Sequence, residues 1–211
     1  MTKHLLWLPI AFLSLLSTGC AIPDQAGKWT ALFDGKSLTG WQSTEFGGEG
    51  EIEIIDGAMH FDMGSPLTGV TLTAPPPTGS YEVEVIAARI EGTDFFCGLT
   101  FPVGDDHLTL VLGGWGGSVS GLSSLDHNDA SRNLTRTLKG FKSGRDYTVL
   151  VRVTKDNVTV LLDGEPFTET QLAGKELSLR AEVELSRPLG IASFQTRAAI
   201  TSVRWRPIAT Q

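Results

Sequence analysis

Apolar and polar residues alternate along most of this chain, and the alternation has the period of a strand. No window keeps apolar residues at i, i+3, i+4 and i+7, so no helix is expected. The pattern predicts strands at 51–55, 58–61, 69–73, 80–90, 95–101 and 107–113. It predicts five more at 145–154, 157–163, 177–185, 190–196 and 200–207. Turn residues separate them: Asp-Gly at 56–57, Pro-Pro-Pro-Thr-Gly at 75–79, Lys-Asp-Asn at 155–157 and Asp-Gly-Glu-Pro at 163–166. The clearest hairpin is YTVLVRVTKDNVTVLLDG, two alternating strands around a tight polar turn. About eleven strands without helices imply an all-β antiparallel sandwich or barrel. The longest stretch without strand character, 113–144, is rich in Gly, Ser, Asn and Asp, and long loops of this kind often carry function.

The first residues stand apart. Lys3 and His4 precede an apolar run from Leu5 to Leu16, which is shorter than the ~20 residues a membrane-spanning helix needs. Ser17, Thr18 and Gly19 then lead to Cys20. This is the layout of an export signal. Gly-Cys also resembles a bacterial lipobox, although Ser17 stands where Leu is usual. The expected organisation is a signal peptide over 1–19, a lipidated Cys20 and tether over 20–28, and one domain over 29–208. The expected location is the periplasm or outer membrane of a bacterium, with membrane contact through the lipid anchor alone. Plain secretion and an uncleaved anchor are the alternatives. With Cys20 lipidated, Cys97 has no partner and the domain is held by its core alone. Cys97 lies in an apolar run and reads as a buried structural thiol.

Composition narrows the partners. Of the 211 residues 41% are hydrophobic, enough for one domain with a sizeable core. The net charge is −7 and no Lys/Arg run interrupts it, which argues against nucleic acid.

LFDGKSLTGW, residues 32–41, carries a resemblance. Leu32, Phe33, Asp34, Gly35, Lys36, Leu38, Gly40 and Trp41 match the opening signature of the 3-keto-disaccharide hydrolase domain family. IIDGAMHF, the strand 80–90 with its Arg, VTVLLDGEPF and the closing GIASFQTRAAITSVRWRPI are similar to later, looser elements of that family, so the likeness covers about 29–207. The resemblance implies a concanavalin A-like jelly roll, a β-sandwich of two curved antiparallel sheets with ligands on the concave face. It also implies exported bacterial proteins linked to carbohydrate, some of which cleave glycosidic bonds of 3-keto sugars. In the middle the chain departs from the family: Asp94, Cys97 and Gly98 match an Asn-Ser-Gly-x-x-Phe-Arg stretch only in part, and Pro102 stands near its Arg.

Candidate chemistry is therefore read from the residues. Three Glu-x-Glu pairs occur, at 51/53, 82/84 and 182/184. On a strand such residues share a face about 6.5–7 Å apart, within reach of an acid/nucleophile pair. Glu182 and Glu184 are the candidates; the plainer reading for all three is a strand with one charged face. Asp105, Asp106 and His107 could supply acid/base groups or ligands to a divalent cation such as Ca²⁺. Asp126, His127 and Arg132 form a second polar group suited to sugar hydroxyls, as does Asp94. Polar turns with side-chain caps are the plainer reading of both groups. Trp115, with two glycines on each side, is the best single candidate for stacking on a sugar, against the alternative of a core Trp. Trp41 reads as packing. The expected activity is hydrolysis of (3-keto-)glycosides or disaccharides. A non-catalytic sugar-binding lipoprotein module and a structural envelope protein are the alternatives.

Overall fold

The computed structural model describes residues 26–209; Cys20 and the candidate signal lie outside the described residues. In chain order the strands are β1 (Thr30–Ala31), β2 (Trp41–Ser43), β3 (Ile52–Ile55), β4 (Ala58–Phe61) and β5 (Leu67–Leu72). Next come β6 (Tyr81–Gly92), β7 (Cys97–Val103), β8 (Asp106–Gly114), β9 (Val119–Ser123) and β10 (Thr137–Leu138). The last are β11 (Asp146–Val153), β12 (Asn157–Leu162), β13 (Glu165–Gln171), β14 (Gly190–Phe194) and β15 (Thr196–Pro207). They form two antiparallel sheets. The first runs β13-β12-β11-β6-β15-β4-β3, with β1 on β15; the second runs β10-β9-β8-β7-β14-β5-β2. The strand pattern allowed a sandwich or a barrel; the two sheets make a sandwich, of the jelly-roll class that the family resemblance implied.

One core fills the space between the sheets. Val83, Val85 and Ala87 of β6 and Val149, Val151 and Val153 of β11 meet Leu99 and Phe101 of β7 and Leu108, Leu110 and Leu112 of β8. Tyr81 crosses it, donating its hydroxyl to the Pro102 carbonyl at 2.6 Å. Cys97 is fully buried there, and burial pushes its thiol up to about 12, so it is a structural residue as expected. The opening motif turns the chain from one sheet to the other. Asp34 accepts the backbone N–H groups of Lys36 and Ser37. Gly35 and Gly40 supply left-handed φ of 73° and 85°, and the buried Trp41 donates its indole N–H to the Leu32 carbonyl at 2.8 Å.

The two sheets differ in one respect that positions the site. Strand β11 alternates buried and solvent-facing residues, as a one-sided strand should. Strands β7 and β9 are buried on both faces. The reason is the connection from β13 to β14, residues 172–189, which crosses the outer face of the second sheet as a strap. It pairs with the end of β9 through Ser124 and Ser178, which exchange backbone hydrogen bonds at 2.8 and 3.2 Å. At the other end, the Leu185 carbonyl accepts the Thr71 hydroxyl on β5. Leu179 and Val183 of the strap, with Leu67 and Ala192 of the sheet, form a small second hydrophobic cluster outside the main core.

This corrects the reading of 177–185 as a strand. The alternation of Leu177, Leu179, Val183 and Leu185 imitates one, but Ala181–Ser186 is a short 3₁₀ helix. A 3₁₀ helix turns 120° per residue, so Glu182 and Glu184 do not share a face. The stretch 113–144 contains β9 and β10, hidden in sequence by small polar residues. The edge strand β13 is polar and exposed, so no apolar alternation marked it. Glu82 and Glu84 lie on the outer face of the first sheet and serve structure. Glu82, fully buried, accepts Arg152 at 2.7 Å and Arg206 at 2.6 Å. Glu84 accepts Arg204 at 2.7 Å, and Trp29 lies against the guanidinium groups of Arg204 and Arg206.

Candidate functional site

The strap does not cover the whole outer face of the second sheet. Beside Val183 it leaves a cavity of about 190 Å³. Its depth is formed by Leu67 of β5, Thr109 and Val111 of β8, and Ser123 of β9, all buried. Phe95 and Phe194 form one side, their rings 5.6 Å apart. The mouth carries Asp94, Trp115 and, from the strap, Arg180 and Glu182. Asp94, Trp115 and Glu182 are thus brought together from three distant parts of the chain.

Trp115 is the most unusual residue in the site. The residue is 41% exposed, and its backbone lies in the left-handed region at φ 51°, an outlier for a bulky residue. What holds it there is Arg89, at the end of β6. The buried guanidinium gathers backbone carbonyls from three segments. Nη2 donates to Asp94 at 3.0 Å, to Gly113 at 3.1 Å and to Gly117 at 3.4 Å. Nη1 donates to Phe141 at 3.5 Å. Burial pushes the Arg89 pKa down and the Asp94 carboxylate opposes this, while an arginine stays charged throughout. The Asp94 carboxylate closes the same turn, accepting the N–H of Phe95 at 2.8 Å and of Gly116 at 3.2 Å. The glycines around Trp115 therefore serve the turn. A Cβ on Gly113 would lie 2.4 Å from Arg89 Nη2. Gly98 serves in the same way, leaving room for the Phe95 ring on the sheet.

Arg180 and Glu182 form a charged pair at the mouth. Arg180 Nη2 donates to Glu182 at 2.6 Å and Nη1 donates to Asp129 at 3.0 Å. The Arg180 hydrogen bond holds the Glu182 carboxyl below the usual carboxylate range, against a smaller opposing effect of desolvation.

The other sequence candidates lie elsewhere. Asp105 and Asp106 are exposed at the β7–β8 turn. His107 follows them, near Glu184 and Arg187; burial first, and then Arg187, push its pKa down. Glu184 pairs with Arg187 at 2.6 Å. Asp126 is bound by Lys175 and by the Glu176 N–H, His127 meets Glu176 at 3.1 Å, and both fasten the strap to the loop after β9. Arg132 is exposed beyond that loop. Among the described residues no three His, Cys, Asp or Glu side chains converge as a divalent cation requires.

Sequence reasoning gave no site role to Arg180, Phe95 and Phe194, and met Arg89 only as the Arg of the family-like strand 80–90. Arg180 stands two residues before Glu182 and was legible only as one more charge in a strand. The two phenylalanines look like core residues in sequence, and only the strap's path shows that they line a cavity.

The geometry sits in a known framework. The sequence profile of the 3-keto-alpha-glucoside-1,2-lyase-like domain matches residues 28–209. No curated protein sequence matches the chain. Among solved structures, the Crh5 transglycosylase in complex with NAG is similar at a TM-score of 0.60 and 13% identity, over 87% of this chain and 86% of that one. A putative glycosyl hydrolase from Parabacteroides distasonis is similar at 0.54 and 14%, over 86% and 94%. The carbohydrate-binding module CBM66 from Bacillus subtilis is similar at 0.52 and 11%, over 78% and 93%. At these identities the likeness is one of fold.

Replacing Arg89 by Met tests the clamp. Its two shortest hydrogen bonds are charge-assisted, at roughly 1.5 kcal/mol each, so stability should fall by about 3 kcal/mol in denaturant unfolding. The Trp115 indole N–H resonance should also move in the folded variant. An unchanged resonance with unchanged stability would show that Arg89 does not hold the turn.

Proposed function

This chain belongs to the 3-keto-alpha-glucoside-1,2-lyase-like domain family, and we propose that it cleaves 3-keto-glycosides at the mouth of the strap-covered cavity. The observation that carries the reading is the meeting of Trp115 with the Arg180–Glu182 pair at one opening. A sugar ring lays its C–H face on Trp115, and its hydroxyls reach Asp94, Arg180 and Glu182. A 3-keto group acidifies the proton on C2. Glu182 takes that proton, the freed electron pair forms a C1–C2 double bond, and the C1–O bond to the leaving group breaks. The departing alkoxide takes a proton from solvent. Negative charge that builds on the ketone oxygen during the first step meets the Arg180 guanidinium. Addition of water across the new double bond completes a net hydrolysis. Asp105, Asp106, His107, Glu184, Asp126, His127 and Arg132 lie outside this opening and take no part in the scheme.

A specific observation also favours binding without cleavage. Both carboxylates at the mouth are already engaged, Glu182 by Arg180 and Asp94 by two backbone N–H groups. The same surface then serves as a sugar-binding module. Export to the bacterial envelope and lipidation of Cys20 complete the proposal; they rest on the apolar run Leu5–Leu16 and the Gly19-Cys20 junction.

Turnover of 3-oxo-glucosides separates the two functions. Under the cleavage scheme Glu182→Gln lowers kcat by about 10²-fold or more and leaves KM unchanged. A base is active when ionised, so a depressed Glu182 pKa carries full kcat below the usual carboxylate range. Arg180→Gln removes the cause and moves the acid limb to higher pH. Binding of 3-oxo-glucosides by the wild type without any turnover would leave the binding module as the function.

Lipidation is read by growing cells on an alkyne fatty acid. The chain should be labelled, and Cys20→Ser should abolish the label. Equal labelling of the two would overturn the anchor.

A further inference from the structure

The cavity at the mouth of which the sugar is placed has a different character from the mouth itself. All four charged or strongly exposed groups, Asp94, Trp115, Arg180 and Glu182, stand at the opening. Below them the walls are Leu67, Val111, Val183 and the paired rings of Phe95 and Phe194. The depth offers only two hydroxyl groups, and each already shares one hydrogen bond within the sheet. Thr109 shares a hydrogen bond with Thr100 at 2.8 Å, and Ser123 shares one with Ser124 at 3.3 Å. A pyranose ring carries several hydroxyls, and each one buried here without a partner costs on the order of 1–3 kcal/mol. The depth therefore disfavours a second sugar. It favours a flat apolar group, which gains from contact with Phe95 and Phe194. The volume, about 190 Å³, is smaller than the roughly 300–1,000 Å³ of typical small-molecule sites, and suits one ring rather than two.

We propose that this protein takes glycosides with a single-ring aromatic aglycone, the ring seated in the cavity between Phe194, Phe95 and Val111 and the sugar held at the mouth. This rests on the reading that the sugar lies at Trp115 and Glu182. It goes further in naming the leaving group: a phenolic aglycone, whose oxygen emerges toward the Arg180–Glu182 pair and departs as a stabilised phenolate.

Titration of the wild type with phenyl α-glucoside, methyl α-glucoside and maltose tests the proposal, with Trp115 fluorescence as the signal and Trp115→Phe as its control. The phenyl glucoside should bind at least tenfold more tightly than the other two. Phe194→Ser should bring the ratio of phenyl to methyl affinity close to one. Val111→Thr keeps the volume of the cavity and should lower the ratio several-fold even where Phe194→Ser fails to fold. Turnover of the 3-oxo forms of the phenyl and methyl glucosides is measured in parallel. Equal affinities for phenyl and methyl glucosides with cleavage of both 3-oxo forms would overturn the aglycone proposal and leave the cleavage reading standing. A phenyl preference lost in Val111→Thr, with no cleavage of either, would support the aromatic seat in the cavity and overturn both the cleavage reading and the phenol as leaving group. No binding and no turnover would overturn both.

Discussion

The Arg89 guanidinium sits at the end of a long strand of the first sheet, yet three of its four acceptor carbonyls lie around the second. Asp94 precedes β7, Gly113 and Gly117 bracket the Trp115 turn, and Phe141 precedes β11. A buried cation must find acceptors, and here it finds them only if those segments converge. That requirement fixes the turn. The turn in turn demands a residue without Cβ at 113, because the guanidinium occupies the space a side chain would need. It also holds a tryptophan in a backbone conformation that large residues avoid. The exposed indole is thus a consequence of how one buried cation is held, through Nη1 and Nη2 while Nε is left without a partner, and it faces the opening of the cavity.

The strap supplies the other half of the site. A jelly roll leaves both sheet faces outside the core, and this chain covers one of them with the β13–β14 connection. Apolar contacts of Leu179 and Val183 hold the strap's centre. Ion pairs from Lys175 to Asp126 and from Arg180 to Asp129 hold one flank. Exposed ion pairs of this kind contribute little to stability individually. Their value is positional: Arg180 reaches both Asp129 and Glu182, so the contact that fastens the strap also places a guanidinium and a carboxylate at the cavity mouth.

The fold was legible in the sequence because its signals are local. Alternation in 145–154 and 157–163, the Asp-Gly turns and the 32–41 motif each point the same way. The site was legible in part. Trp115 stood out through its glycines, although those glycines answer to Arg89 and the turn rather than to a ligand. Glu182 was singled out for the wrong reason, since the strand that would have paired it with Glu184 is a 3₁₀ helix. Asp105, Asp106 and His107 cluster in sequence but fall at a hairpin turn away from the cavity. The residues to which sequence reasoning gave no site role depend on contacts between segments more than 20 residues apart: Arg89 with Gly113, and Arg180 with Asp129. No local pattern records those contacts, and the path of the strap decides them.

The proposed cleavage requires a glycoside to bind where Trp115 meets Arg180 and Glu182. A crystal structure of the Glu182→Gln protein with a 3-oxo-glucoside tests it most directly. The sugar ring should stack on Trp115 with its C2 facing residue 182. A sugar bound instead beside His107 and Glu184, or on the arginine-lined outer face of the first sheet, would contradict it.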